Sequence, residues 1–462
     1  MRYYSTRSRG EAVSFGTAAL TGLAPDGGLF IPEAIPPYPA AVRSSLGAMD
    51  FYDIAFETIK PYVHPEIPDS CLADLVSSAY TFNAPLVPVG DRLVLELFHG
   101  PTAAFKDFGA RFMARAFSWL RRGEDKPLRI LVATSGDTGG AVADGFFGIP
   151  GISVTVLYPK GRVSPLQERQ IAGLGGNIEA LAVEGSFDDC QRLVKAAFAE
   201  DELRRHLVLS SANSINVSRL IPQAVYYAAA AGRAFAGGVD PDGGATPRLV
   251  SRTGGGEGFA AGQPVCFCVP SGNFGNLTAG LYAMKMGAPI RGFIAATNIN
   301  KTVPDYLATG LYETRPSQAT ISNAMDVGAP SNFERMTAHW SYETLSRDIR
   351  GTFVSDPETR KAILRVREQY GYFLDPHGAV GWQAVDNLAS PSGKGPAAAG
   401  PSGEMPVAVL ATAHPAKFAE TVEPLTGPVP CPESLQQVMK RTAESLTIPA
   451  DISALIEALE AH

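Results

Sequence analysis

Five short runs along the chain are almost continuously apolar and rich in β-branched residues: LRILVAT (128–134), ISVTVLY (152–158), PVCFCVP (264–270), IRGFIAAT (290–297) and PVAVLAT (406–412). Runs of this length, ended by Gly, Pro or small polar residues, predict strands buried on both faces. Between them, FDDCQRLVKAAFAE (187–200) and VSRLIPQAVYYAAAAGRAF (217–235) carry the spacing of amphipathic helices. Strands alternating with helices predict an α/β fold of βαβ units, with open, mostly parallel sheets covered by helices on both faces. Residues 1–80 break this rhythm with Gly/Pro-rich turns and two weak helices, and are expected to form a separate N-terminal unit. Two stretches, 236–263 and 390–406, are rich in Gly, Pro and Ser without apolar period and predict flexible surface loops. DPDGG in the first has the start of a calcium loop, but no spaced acidic ligands follow, so no metal is expected.

Composition narrows the function classes. At 462 residues, 45% hydrophobic and 18% charged, the chain has the make-up of a globular protein with a large core. A net charge of −7 and a pI near 5.6 argue against general affinity for nucleic acid or anionic membranes. MRYYSTRSRGEAVSFG lacks the apolar centre of a signal peptide, and no apolar run approaches a membrane span. Five scattered cysteines without a CxxC pair suit a reducing compartment, and so a cytoplasmic location. Cys266 and Cys268, two apart in a strand, share a face and read as small buried hydrophobes. His377 in LDPHGAVG reads as a residue at a helix start rather than a metal ligand.

The candidate chemistry sits where strands end. In open α/β sheets, ligands bind outside the carboxyl ends of the strands. Here LVAT runs into SGDTGGAV, CVP into SGNFGNLTAG, and VLAT into AHPAKF. SGNFGN before a helix suits a phosphate: its glycines let successive N–H groups converge, and the helix N-terminus adds partial positive charge. It is neither a Walker loop nor GxGxxG. Upstream, LELFHGPTAAFKDFGARF places one lysine, Lys106, among small and aromatic residues at a helix start. Such surroundings penalise the ammonium form and keep an amine nucleophilic. A phosphate cradle with an isolated lysine is what pyridoxal 5'-phosphate requires.

Several blocks occur together in one order: YYSTRS…VSFGTAALTGLAPDGGLFIPEAIP, ELFHGPTAAFKDFGARF, ATSGDTGGA, YPKGRVSPLQERQI, SSANSINVSRLIPQ and VPSGNFGN. In these the sequence resembles the threonine synthase family of the bacterial and fungal type, across nearly the whole chain. The resemblance implies pyridoxal-phosphate fold type II, shared with the tryptophan synthase β-subunit. It divides the chain into an N-terminal domain (1–80) and a catalytic region (81–462) of two α/β subdomains. The implied reaction converts O-phospho-L-homoserine and water to L-threonine and phosphate, in a monomer or small homo-oligomer. Lys106 would carry the cofactor and the proton transfers. Gly272, Asn273, Phe274 and Asn276 would hold the cofactor phosphate, and Thr412 would face the pyridine nitrogen.

For the substrate, SGDTGG offers Ser135, Thr138 and the Gly139 N–H, with Asp137 suited to orienting the loop or an amine. PKGRVSP offers Arg162 and Lys160, arginine being the better fork for phosphate. SSANSIN offers Ser211, Asn213, Ser214 and Asn216. A serine or threonine dehydratase of the same fold would share Lys106 and the cradle, but not GLAPDGGLF or the HGPTAAFKDF form of the lysine motif. A non-catalytic cofactor-binding paralogue would be expected to have lost Lys106 or the cradle; both are present.

Overall fold

The computed structural model describes residues 1–200, 203, 205, 207–239, 261–389 and 406–460. The two Gly-rich segments, with DPDGG, fall almost wholly outside the described residues. In chain order the strands are β1 (Tyr3–Ser5), β2 (Phe30–Pro32), β3 (Leu86–Val89), β4 (Arg92–Glu96), β5 (Leu128–Ala133), β6 (Ile152–Pro159) and β7 (Ile178–Glu184). There follow β8 (Val208–Ser211), β9 (Val265–Pro270), β10 (Ile290–Thr297), β11 (Ile349–Phe353), β12 (Val407–Ala411) and β13 (Leu446–Pro449).

They form three sheets. The larger runs β11-β10-β9-β12-β4-β3 and is parallel apart from edge strand β3, antiparallel to β4. The second, β13-β7-β6-β5-β8, is parallel throughout. β1 and β2 pair antiparallel in the N-terminal unit. The five expected apolar runs are β5, β6, β9, β10 and β12. They are legible because each is covered on both faces: β5 is buried at every position.

Three cores explain that coverage. One extends from Tyr3 and Phe15 through Phe112, Val132 and Val154 to Phe267 and Phe293, joining the N-terminal unit to inner faces of both large sheets. A second, with Cys268, Ile294, Val380 and Trp382, covers the outer face of the six-stranded sheet. A third, with Leu131, Leu157, Val183 and Ile448, does so for the five-stranded sheet. Cys266 packs against the same core as Cys268, as their shared strand face requires.

Two helical expectations change. The 217–235 helix divides into Val217–Leu220, a 3-10 turn Ile221–Gln223 and Ala224–Phe235. Pro222 has no N–H to continue the α ladder, and the turn tightens there. The N-terminal unit holds four helices rather than two: Phe15–Thr21, Ala40–Ser45, Phe51–Val63 and Asp69–Ala79. The first is short, and its start is held from outside: the Glu66 carboxylate accepts from Phe15 N at 2.6 Å and Gly16 N at 2.8 Å. Such a cap offsets missing helical bonds and uses the helix dipole.

Candidate active site

The segments that follow β4 and β12 in one sheet and β5 in the other meet at Lys106, and β9 pairs with β12. The turn before it is stitched to the segment after β12: Ala104 bridges Ala413, Phe105 N donates to Thr412 O at 2.9 Å, and His414 N donates to Ala103 O at 3.0 Å. Ala103 takes a left-handed φ of 52° to make this turn. Helix Lys106–Leu120 then begins. Gly109 lets it approach closely, because a Cβ there would lie 2.6 Å from Arg219 O. The Lys106 side chain is 14% exposed. Burial lowers its pKa from the ordinary lysine value; Asp137 pulls it back up, and Lys417 and Arg219 push it down again.

Asp137 opens helix Asp137–Phe146 after β5. Its Oδ2 is 3.7 Å from Lys106 Nζ, and its Oδ1 is 2.8 Å from Lys417 Nζ. Gln167 Nε2 donates to the same Oδ1 at 2.9 Å. Burial alone would raise this carboxyl, but Lys417 and then Lys106 outweigh it and hold it well below the usual carboxylate range. Lys417 donates onward to Thr102 O at 2.8 Å and is 2% exposed. The sequence reading gave Asp137 as an orienter of the loop or of an amine but passed over Lys417, although AHPAKF lay at a strand end. One lysine in a loop carries no signal until the fold sets it beside Asp137.

The loop after β9 has a different character. Phe274 adopts φ 60°, ψ 10°, the left-handed region rare for a bulky residue, and leads into helix Gly275–Met286. A Cβ on Gly272 would stand 2.7 Å from Ala324 O. Among the described residues, none accepts a hydrogen bond from the backbone N–H of Gly272, Asn273 or Phe274. Asn276 Oδ1 accepts from Tyr226 and Tyr227 hydroxyls at 2.6 and 2.7 Å, while its buried Nδ2 has no partner. Open N–H groups at a helix N-terminus, beside an unpartnered amide donor, fit a phosphate dianion. Asn273 differs: its side chain binds Ser214 Oγ and accepts from Ser331 N, which fixes the loop. Thr412, at the end of β12, is 6% exposed.

The substrate candidates divide. Ser135 and Thr138 are half-buried at the start of the Asp137 helix. The Gly139 N–H is already given to Thr134 Oγ1 at 2.9 Å, which removes it as an anion donor. Exposed Arg162 lies in the turn after β6, next to helix Pro165–Ala172, which supplies Gln167 to Asp137. Lys160, also exposed, is 3.3 Å from Glu184. Asn213 is a strut between β5 and β8, donating to Ala133 O at 2.9 Å and accepting from Ser211. Ser214 joins the phosphate loop through Asn273, and Asn216 caps helix Val217–Leu220 while donating to Ala19 O. His377 stands at the start of helix Pro376–Ala389, held by Asp375 at 2.7 Å. A cavity of about 870 Å³ lies instead toward the amino ends of β5, β6 and β7; its Arg129 is paired with Glu179.

A buried lysine at a helix start and a loop of open donors after β9 fit one class of protein. The family model for pyridoxal-phosphate dependent enzymes matches residues 89–397. On either side, models for the threonine synthase N terminus and the threonine synthase C-terminal region match residues 2–80 and 379–459. Threonine synthase of Escherichia coli (strain K12) is 40% identical over 464 residues, covering 100% of both chains. A crystal structure of the Escherichia coli threonine synthase superposes with a TM-score of 0.85 at 39% identity, covering 100% of each. A pyridoxal-phosphate-bound threonine synthase from Brucella melitensis gives 0.85 at 34% identity, covering 100% and 99%. The chain belongs to the threonine synthase family.

Proposed function

We propose that this chain forms L-threonine and phosphate from O-phospho-L-homoserine and water, using pyridoxal 5'-phosphate held by Lys106. The observation that carries this reading is the pairing of a largely buried, depressed-pKa lysine with the unpartnered donors at Gly272–Asn276. The threonine synthase matches at both ends of the chain favour it over a dehydratase.

In this reading the Gly272, Asn273 and Phe274 N–H groups and Asn276 Nδ2 hold the cofactor phosphate, and Thr412 donates to the pyridine nitrogen. When bound, the cofactor supplies an electron sink for negative charge developing on substrate carbons. The Thr412 hydroxyl, unlike a carboxylate, leaves that sink moderate. Lys106 would take the Cα proton and then one from Cβ as phosphate leaves Cγ, and would return protons to Cγ and Cα as water adds at Cβ. Ser135 and Thr138 would face the substrate carboxylate, and Arg162 its phosphate, with Asn213 and Ser214 supporting them. We place the enzyme in the cytoplasm as a monomer or small homo-oligomer acting on a small molecule.

The test is to supply purified protein with O-phosphohomoserine and measure threonine and inorganic phosphate together; equimolar appearance is expected. Unphosphorylated homoserine should be turned over at least about 10³-fold less efficiently, because hydroxide leaves badly and buried donors would lack their anion. Comparable threonine from homoserine would overturn the substrate assignment.

A further inference from the structure

Lys417 plays no part in the reaction derived above, yet it is among the most buried charged side chains at the site. It comes from the 3-10 turn Pro415–Phe418, just beyond Thr412. Its amine is pinned at 2.8 Å to Thr102 O, four residues before Lys106, and at 2.8 Å to Asp137 Oδ1. The other carboxylate oxygen, Oδ2, is the one that faces Lys106. Asp137 thus lies between two amines, one fixed and one reactive.

We propose that Lys417 is a positioning residue for Lys106: it holds Asp137 as a carboxylate with Oδ2 turned to the reactive amine, and it cancels much of that carboxylate's pull on the Lys106 proton. This inference rests on Lys106 being the cofactor lysine.

A bare buried carboxylate near Lys106 would favour the ammonium form and block the amine. Paired with Lys417, it presents a nearly neutral dipole, so burial prevails and the amine is free. The carboxylate still points the amine. Asp137 is held too acidic to take a proton from Lys106, so it is an anchor and not a relay. The other titratable groups around Lys106 are Arg219, Asp107 and His414. Arg219, from helix Val217–Leu220, is 1% exposed and donates to Ala212 O at 2.6 Å. Asp107, on the lysine's own helix, accepts from the Thr102 hydroxyl and is raised by burial to about 7. His414, within reach of the Lys417 charge, is held down near 4 by burial.

The experiment follows the protonation of the Lys106 nitrogen in two ways. One is the pH titration of the visible absorbance of the holoenzyme. The other is the pH dependence of the rate at which the full-length chain, stripped of cofactor, recaptures pyridoxal phosphate. Lys417→Met exposes Lys106 to an uncompensated Asp137, so the midpoint should rise by about one pH unit. Asp137→Asn leaves two amines repelling each other, so it should fall by about as much. Lys417→Arg keeps the charge and should stay near wild type, and the double variant should return toward it. A purely structural role would not move the two single variants in opposite directions. Should Lys417→Met not fold, Lys417→Gln keeps a donor for Thr102 O and should shift upward in the same way. Lys417 variants with unmoved or lowered midpoints would overturn the proposal. A wild-type holoenzyme lacking the lysine-dependent absorbance would instead sink the assignment of Lys106.

Discussion

The loops after β5 and β9 both leave a parallel strand, pass through glycines and start a helix, yet they treat their polar groups in opposite ways. After β5, Gly136 and Gly139 give their N–H groups to Thr134, and Asp137 is taken up by two lysines and Gln167. After β9, three successive N–H groups and the Asn276 amide nitrogen have no protein partner among the described residues. A buried donor without a partner costs roughly 1–3 kcal/mol, which bears on the Asn276 amide; Gly272 and Asn273 are half-buried. In the proposed reading the first loop holds an amine and the second receives an anion. Strand–turn–helix geometry alone would not have told them apart.

The sharpest way to break this comparison is to remove the amine. Lys106→Ala should abolish the lysine-dependent visible absorbance and lower turnover by at least about 10²–10⁴-fold, while the β9 loop still binds cofactor. Near-normal turnover would contradict the division of labour. A smaller effect of the other kind is expected from Gly272→Ala. Its Cβ would meet Ala324 O at 2.7 Å and displace the receptor loop. Cofactor affinity, measured by equilibrium dialysis, should weaken by about 10–100-fold, as overpacking commonly costs 1–3 kcal/mol. Retained affinity would mean the phosphate sits elsewhere.

The smallest effect concerns Thr412, which lies between the two regions. Thr412→Val keeps the shape and removes the donor, so affinity should fall by about 1 kcal/mol. Thr412→Asp favours a protonated ring and should divert flux to an oxo acid such as 2-oxobutanoate. The ratio of threonine to oxo acid per phosphate released reads both. Unchanged ratios and affinities would make Thr412 a strand-end cap only.

How much of this was legible depended on how local its physics was. β5, β6, β9, β10 and β12 could be read from the chain because burial on both faces writes a continuous apolar run. β7 was missed because Glu179 and Glu184 interrupt its run, and β13 because Leu446 and Thr447 are exposed. Only two of the four N-terminal helices were expected, and Phe15–Thr21 owes part of its cap to Glu66, far along the chain. At the site, Lys106 and SGNFGN stood out through their immediate neighbours. Lys417 did not, since its meaning comes from Thr102 and Asp137, which only the folded chain brings to it.

The placing of β12 bears on how the protein is made. It pairs with β9 on one side and β4 on the other, so β3 and β4 have no route into the six-stranded sheet without it. A ribosome releases Leu93 long before its partner Ala408. During that interval this edge of β4 is unpaired, and unpaired strand edges invite aggregation. Catalytic competence is therefore withheld until late in translation, and a prematurely terminated chain lacking β12 would be both inactive and prone to association.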